Sequence, residues 1–131
     1  MPTGRCHCGQ ISYSAEGEAL HHALCHCADC RRSAGAPMVG WIAYKGDRVT
    51  VTGKPVTYES SVMGRRLFCG RCGTGLFYTN AEMLPGIIDI QSVTLDDPGA
   101  FPPGAHIQVA ERLTWIETID ALPRFERFPS G

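Results

Sequence analysis

Polar and apolar residues alternate along Gln10-Ile11-Ser12-Tyr13-Ser14-Ala15, the period of a strand with one buried face. Glu16-Gly17-Glu18 reads as a turn, and Ala19 to Cys25 as the hairpin partner of that strand. From Met38 the chain breaks into short β-like runs: Met38 to Tyr44, Arg48 to Thr52, Val56 to Ser60 and Arg65 to Cys69. Lys45-Gly46-Asp47, Gly53-Lys54-Pro55 and Met63-Gly64 separate them. Such regular spacing predicts antiparallel meanders. Further strands are expected at Leu76 to Thr79, Ile87 to Ser92, His106 to Ala110 and Trp115 to Thr118, with turns at Asp96-Asp97-Pro98-Gly99 and Pro102-Pro103-Gly104. Helix is confined to one short stretch, Cys30 to Ser33, with Asp29 as its expected N-cap and Gly35 and Pro37 ending it. The fold class is therefore mainly β, built of antiparallel meanders with little helix.

Seven cysteines interrupt this pattern in three groups: Cys6 and Cys8; Cys25, Cys27 and Cys30; Cys69 and Cys72. An odd number does not complete a disulfide framework, and metal ligation is the better account. If Cys25 and Cys27 end a strand, their side chains share a direction and His26 points away. Cys30 follows at the spacing with which a tight turn brings a further sulfur to a tetrahedral cation. The outer pairs together form a four-sulfur set of the structural zinc kind, stapling residues near position 7 to residues near position 70. In Cys69-Gly70-Arg71-Cys72-Gly73 the glycines let the backbone bend so that amide N–H groups face sulfur. The central group keeps three sulfurs and an open position, as catalytic zinc sites do. Alternatives at this point are a fourth ligand from His22, His26 or His106, a single zinc with unused thiols, or a redox-active thiol cluster.

Composition narrows the partners. The 131 residues are enough for one domain spanning 1–131 with its own core. Twelve basic and thirteen acidic residues give a net charge of -1, so no global field points to nucleic acid or an anionic membrane. The start of the chain shows no signal-peptide pattern and no apolar run reaches membrane-spanning length, so a cytoplasmic location is expected. Nearly all the basic residues are arginine, and Arg5, Arg31, Arg32 and Arg71 stand next to cysteines, where they could offset thiolate charge. Arg65 and Arg66 are candidates for substrate carboxylates, although they sit in an expected strand. Asp89 and Asp96 read as solvated carboxylates near turns, His21-His22 as one exposed and one buried imidazole, and Trp41, Trp115, Phe125 and Phe128 as core and edge packing. The end, Pro129-Ser130-Gly131, is expected to fray.

Three segments in this order carry a resemblance: Gly4-Arg5-Cys6-His7-Cys8-Gly9, Cys25-His26-Cys27-Ala28-Asp29-Cys30-Arg31-Arg32, and Phe68-Cys69-Gly70-Arg71-Cys72-Gly73-Thr74-Gly75-Leu76. Leu95-Asp96-Asp97-Pro98, His106-Ile107 and Trp115-Ile116 support it. The chain resembles the glutathione-dependent formaldehyde-activating enzymes, a family that shares its domain with centromere protein V. The resemblance implies a fold of small, strongly twisted antiparallel sheets stapled by zinc, with two zinc ions per chain, a structural one on Cys6, Cys8, Cys69 and Cys72 and a catalytic one on Cys25, Cys27 and Cys30. It further implies a carbon–sulfur lyase-type reaction, the joining of glutathione and formaldehyde or its reversal, with a small thiol such as glutathione as partner. The alternative is a non-catalytic, zinc-stapled binding or scaffold domain.

Overall fold

The structure, a computed structural model, describes residues 1–129; of the expected frayed end, Ser130 and Gly131 lie outside the described residues. A three-stranded antiparallel sheet has the order β1 (Thr3–Arg5), β2 (Ser12–Ala15), β5 (Val49–Thr52). A seven-stranded sheet runs β10 (Ala105–Ile107), β3 (His21–Cys25), β4 (Val39–Lys45), β9 (Leu84–Gln91), β8 (Gly75–Asn80), β7 (Gly64–Phe68), β6 (Val56–Glu59). The one α-helix, α1, is Ala28–Ala34, and the rest of the helical content is short 3₁₀ turns. No helix of the described residues is long and apolar enough to cross a membrane.

The β-dominated expectation holds, but several pairings differ from it. β3 is not the hairpin partner of β2: it pairs with β4 and, in parallel, with β10, while β2 pairs with β1 and β5. The parallel contact also breaks the all-antiparallel expectation. Residues Trp115 to Thr118, expected as a strand, lie in a 3₁₀ segment, Thr114–Ala121. Their alternation does not become a strand because no sheet edge accepts them, and Trp115 is 53 % exposed. Phe125 and Phe128 are exposed too, contrary to the packing expected of them, whereas Trp41 is buried.

The small sheet lies against one face of the large one. Ile11, Tyr13 and Ala15 meet Ile42, Tyr44, Leu76, Phe77 and Ile90 in one buried cluster, with Tyr13 edge-on to Phe77 at 5.3 Å between ring centroids. Burying side chains of this size contributes about 1.5–3 kcal/mol each. Cys6 and Cys69 belong to the same cluster, so the outer cysteines sit at the seam between the sheets.

The other face of the large sheet carries the chemistry. Tyr58, Arg66, Tyr78, Asp89, Ala43 and His21 are successive cross-strand partners in six neighbouring strands. Residues directly opposite in antiparallel pairs project to the same side, so these six form one row. Trp41, two positions from Ala43, and Cys25, four from His21, lie on that side as well.

Asp89, read from the sequence as solvated, is only 7 % exposed, and its Oδ1 has no hydrogen-bond partner among the described residues. Burial raises its pKa, opposed by the nearby His21. A carboxyl whose folded pKa is raised stabilises the fold when protonated and loses that contribution as pH climbs through the folded value. Asp89→Asn should therefore raise stability at pH 8 by about 1 kcal/mol, the order of cost of an unpaired buried polar group. The gap should narrow as pH falls toward 5, read from urea unfolding midpoints of both proteins. A constant gap, or one that widens on acidification, would show that the burial of this carboxylate is not the cause.

Candidate metal centres

Two matching loops build the outer cluster. In the first, Cys6 N–H donates to Ile11 O and Gly9 N–H to Cys6 O; in the second, Cys69 N–H donates to Thr74 O and Gly73 N–H to Cys69 O. Gly9 and Gly73 both adopt φ +82°, a left-handed turn that favours glycine. The turns aim N–H groups at sulfur: Ile11 N–H reaches Cys6 Sγ at 3.3 Å, and Arg71 and Cys72 N–H reach Cys69 Sγ at 3.4 and 3.5 Å. Thr74 Oγ1 bridges the loops, accepting from His7 N–H at 3.0 Å and lying 3.3 Å from Cys72 Sγ. That hydroxyl is the first cause of the Cys72 thiol being drawn down to about 5.

The sulfurs of Cys6, Cys8, Cys69 and Cys72 all lie within 4.8 Å of one another, with Cys6–Cys8 and Cys8–Cys69 at 3.7 Å. Metal–sulfur bonds of about 2.3 Å in a tetrahedron require sulfur separations of roughly 3.8 Å. The donor set thus fits zinc in number, type and spacing, and the N–H groups stabilise thiolate charge.

The central cluster is assembled differently. β3 ends at Cys25, and Cys27 continues extended, with φ -65° and ψ 149°, before α1 begins. Cys27, not Asp29, is the N-cap: its Sγ accepts the Cys30 N–H at 3.3 Å. One interaction therefore starts the helix and draws two sulfurs together. The sulfurs of Cys25, Cys27 and Cys30 lie within 4.8 Å of one another, and no His, Asp or Glu joins them among the described residues.

The candidate histidine ligands are engaged elsewhere. His26 is fully buried on the opposite side, with Nε2 2.8 Å from His106 Nδ1, and its main chain ties β3 to the strand after Gly104 through the Ile107 carbonyl. His22 Nε2 meets Ser92 Oγ at 2.8 Å. The cluster offers three sulfurs, the number that leaves a tetrahedral ion one position for a ligand from solution.

The arginines next to the cysteines in sequence do not supply the guanidinium at this cluster. Arg5 braces the first loop through the carbonyls of Cys6 and His7, and Arg31 binds the carbonyls of His26 and Glu111. Instead Arg66, three strands away on the shared face, places Nη2 3.7 Å from Cys30 Sγ. Its guanidinium lies over the Tyr78 ring at 5.0 Å, and its Nε is buried without a partner. Arg65 points the other way, to Glu59 and the carbonyls of Ser61, Val62 and Gly64.

Burial is the largest influence on all three thiols. It pushes Cys25 up to about 12 and raises Cys27. At Cys30 burial is outweighed by the bonds from Cys27, the Trp41 indole and Arg66, and the thiol is lowered. Trp41 and Arg66 are the two residues sequence reading did not connect to this cluster. Strand alternation places them on one face, but only the strand order puts them beside Cys30.

Two cavities open around Arg66. One of about 310 Å³ is walled by Trp41, Tyr58, Leu67, Phe68 and Phe77. The other, about 300 Å³, is bounded by Asp29, Arg32 and Ser60; Ser33, Tyr58 and Arg66 line both. A larger cavity of about 610 Å³ lies against His22, Leu24, Gly40 and Phe101, away from Arg66 and Trp41. His22, Leu24 and Gly40 alternate with Cys25 and Trp41 along their strands and so face the opposite side. Size does not make it the reactive site.

The fold and the clusters have relatives. A crystal structure of a Rhodobacter sphaeroides protein superposes with a TM-score of 0.64 over 79 % of this chain and 98 % of that one, at 18 % identity, a likeness of fold. An uncharacterized lyase of Schizosaccharomyces pombe is 32 % identical over 81 residues, which are 60 % of this chain. The match spans 59 % of that relative's length. The model of the family described as glutathione-dependent formaldehyde-activating enzyme matches residues 1–111, which include all seven cysteines. With both cysteine clusters inside the matched segment and most of its length covered, this chain belongs to the glutathione-dependent formaldehyde-activating enzyme family.

Proposed function

We propose that the protein is a zinc-dependent carbon–sulfur lyase-type enzyme acting on the adduct of a thiol, glutathione, with formaldehyde or a related small aldehyde. The observation that carries this reading is the three-sulfur cluster with no fourth donor among the described residues, set beside Arg66, which lines two open cavities. Zinc held by Cys25, Cys27 and Cys30 would lower the pKa of a thiol brought to it, supplying thiolate near neutral pH, where a free thiol titrates near about 8.5. Cys6, Cys8, Cys69 and Cys72 would hold a second zinc with a structural task, since all four donors are already present.

The chain's own residues do the rest. Arg66 offsets the charge gathered at Cys30 and, lining both cavities, can pair with a substrate carboxylate. Arg32, on the far side of the polar cavity, offers a second cation for a substrate with two carboxylates. Trp41, 5 % exposed, packs against Cys25 and Cys30 and covers them with apolar surface. In the forward direction the thiol adds across the carbonyl: a carbon–sulfur bond forms, the C=O π bond breaks, and the thiol proton ends on oxygen. The reverse step returns that proton to sulfur.

The test is the rate at which glutathione and formaldehyde exchange with their adduct, followed by NMR with zinc-replete protein. Wild type should accelerate exchange in both directions. Arg66→Met should lower kcat/KM about 30-fold, the equivalent of one charge-assisted hydrogen bond of roughly 2 kcal/mol. Arg65→Met, which removes contacts to Glu59 and to the Ser61, Val62 and Gly64 carbonyls, none of them at the cysteines, should change it less than twofold. Exchange no faster with wild type than without protein would remove the enzyme reading and leave a zinc-stapled scaffold.

A further inference from the structure

The two cavities beside Arg66 differ in chemistry, and their difference specifies the halves of the molecule handled there. On one side, Asp29, Arg32 and Ser60 make a polar, charged recess. On the other, the side chains of Trp41, Tyr58 and Phe68 make an aromatic wall, joined by the Gln91 amide, around about 310 Å³. Formaldehyde has two non-hydrogen atoms and needs little more room than a water molecule, whose share of liquid volume is about 30 Å³. An apolar cavity of about 150 Å³ already accepts benzene. The aromatic cavity is therefore far larger than a one-carbon substrate requires.

Backbone and the Gln91 side chain form a further part of its lining. Gly73 and Gly75 form part of the wall and project no side chain into it. A Cβ on Gly75 would collide with the Gln91 amide, which lies over that glycine. The β7–β8 register shifts between Leu67 and Phe68, turning the strand where these two residues reach the wall. Tyr58 is 58 % exposed, so this wall opens to solvent and admits a ligand.

We infer that the carbonyl half of the adduct is an aromatic or comparably bulky apolar aldehyde, seated against Trp41, Tyr58 and Phe68, while the thiol half lies toward Arg32. This rests on the proposed function and refines its substrate class. Arg66 stands 3.7 Å from Cys30 Sγ, Trp41 packs against Cys25 and Cys30, and both line the aromatic cavity, so the reacting carbon belongs on the side of that cavity where these two residues separate it from the sulfurs. The bond changes are those of thiol addition to a carbonyl: carbon–sulfur formed, C=O π bond broken, proton moved from sulfur to oxygen. No oxidant or reductant takes part. Offset or edge-on contacts with the aromatic walls favour an aryl group over a methylene of the same reactivity.

The experiment compares two unreactive thioethers, S-benzylglutathione and S-methylglutathione, binding to the full zinc-replete chain, by calorimetry and Trp fluorescence. Alongside it, the acceleration of glutathione addition to benzaldehyde and to formaldehyde is measured relative to the uncatalysed rates. S-benzylglutathione should bind at least tenfold more tightly, and benzaldehyde should show the greater acceleration. Tyr58→Ala, an exposed position whose change spares the fold, should reduce the binding ratio to about threefold with zinc content unchanged. Equal affinities, with formaldehyde addition still accelerated, would overturn this inference and leave the lyase reading intact. Failure of both thioethers to bind, with neither aldehyde accelerated, would overturn both.

Discussion

Cys69→Ser should leave the chain largely unfolded at 25 °C. Cys69 is 1 % exposed, lies in the main core cluster, and its sulfur accepts two backbone N–H groups while standing 3.7 Å from Cys8 Sγ. The contact joins segments 61 residues apart and closes the seam between the two sheets. Structural zinc contributes about 10–16 kcal/mol to small folds, as much as or more than the roughly 5–15 kcal/mol by which a domain is stable. A serine oxygen at this position is a poorer zinc donor and too short to keep the sulfur's contacts. Far-UV circular dichroism and thermal melts should show loss of the cooperative transition in the variant, and a strong chelator should produce the same state from wild type. A melt within a few degrees of wild type would mean that the outer cluster does not hold the fold together.

Cys27→Ser should do the opposite: keep the fold and abolish the chemistry. Cys27 caps α1 by accepting the Cys30 N–H, and serine is among the best N-cap residues, so the helix start survives. Only the sulfur is lost. Zinc measured by elemental analysis should fall from near two per chain to near one, with the melting temperature shifted by only a few degrees. Acceleration of adduct exchange should drop at least about 10³-fold, the scale on which an activated nucleophile matters. Titrated glutathione should perturb wild type alone. Two zincs per chain retained in the variant, or undiminished exchange, would place the reaction away from these cysteines.

The contrast between the variants follows from how the clusters are built. In the outer cluster each pair of cysteines sits in its own glycine turn, and among the described residues the hydrogen bonds between the two turns run through sulfur and Thr74. In the central cluster strand, cap and helix are continuous, and backbone hydrogen bonds hold the segment without help from a metal.

The cysteine spacing, the glycine turns and the period-2 runs of β4 to β9 were written locally, and local physics suffices to read them. Spacing limits which sulfurs can share an ion, and alternation assigns a face to each strand residue. Sequence alone therefore determined the grouping of the cysteines and the β-dominated class, but left a histidine open as fourth donor at the central cluster until packing turned His22 to Ser92 and His26 to His106. It did not determine strand order. β2 and β3 each carry the pattern of a strand, but nothing in a period of two specifies the partner, and β2 joined β1 and β5.

That order decided the surroundings of the site. Arg66 reaches Cys30 because β7, β8, β9 and β4 lie side by side in one register, a long-range outcome invisible to neighbours such as Arg31 and Arg32. Asp89 is buried for the same reason: a carboxylate placed near a turn by sequence became the middle of a row on an internal strand. Residue type and spacing specify which atoms can bind a metal; only the packing of distant strands determines which side chains stand next to it, because that choice is made by burial summed over the whole core.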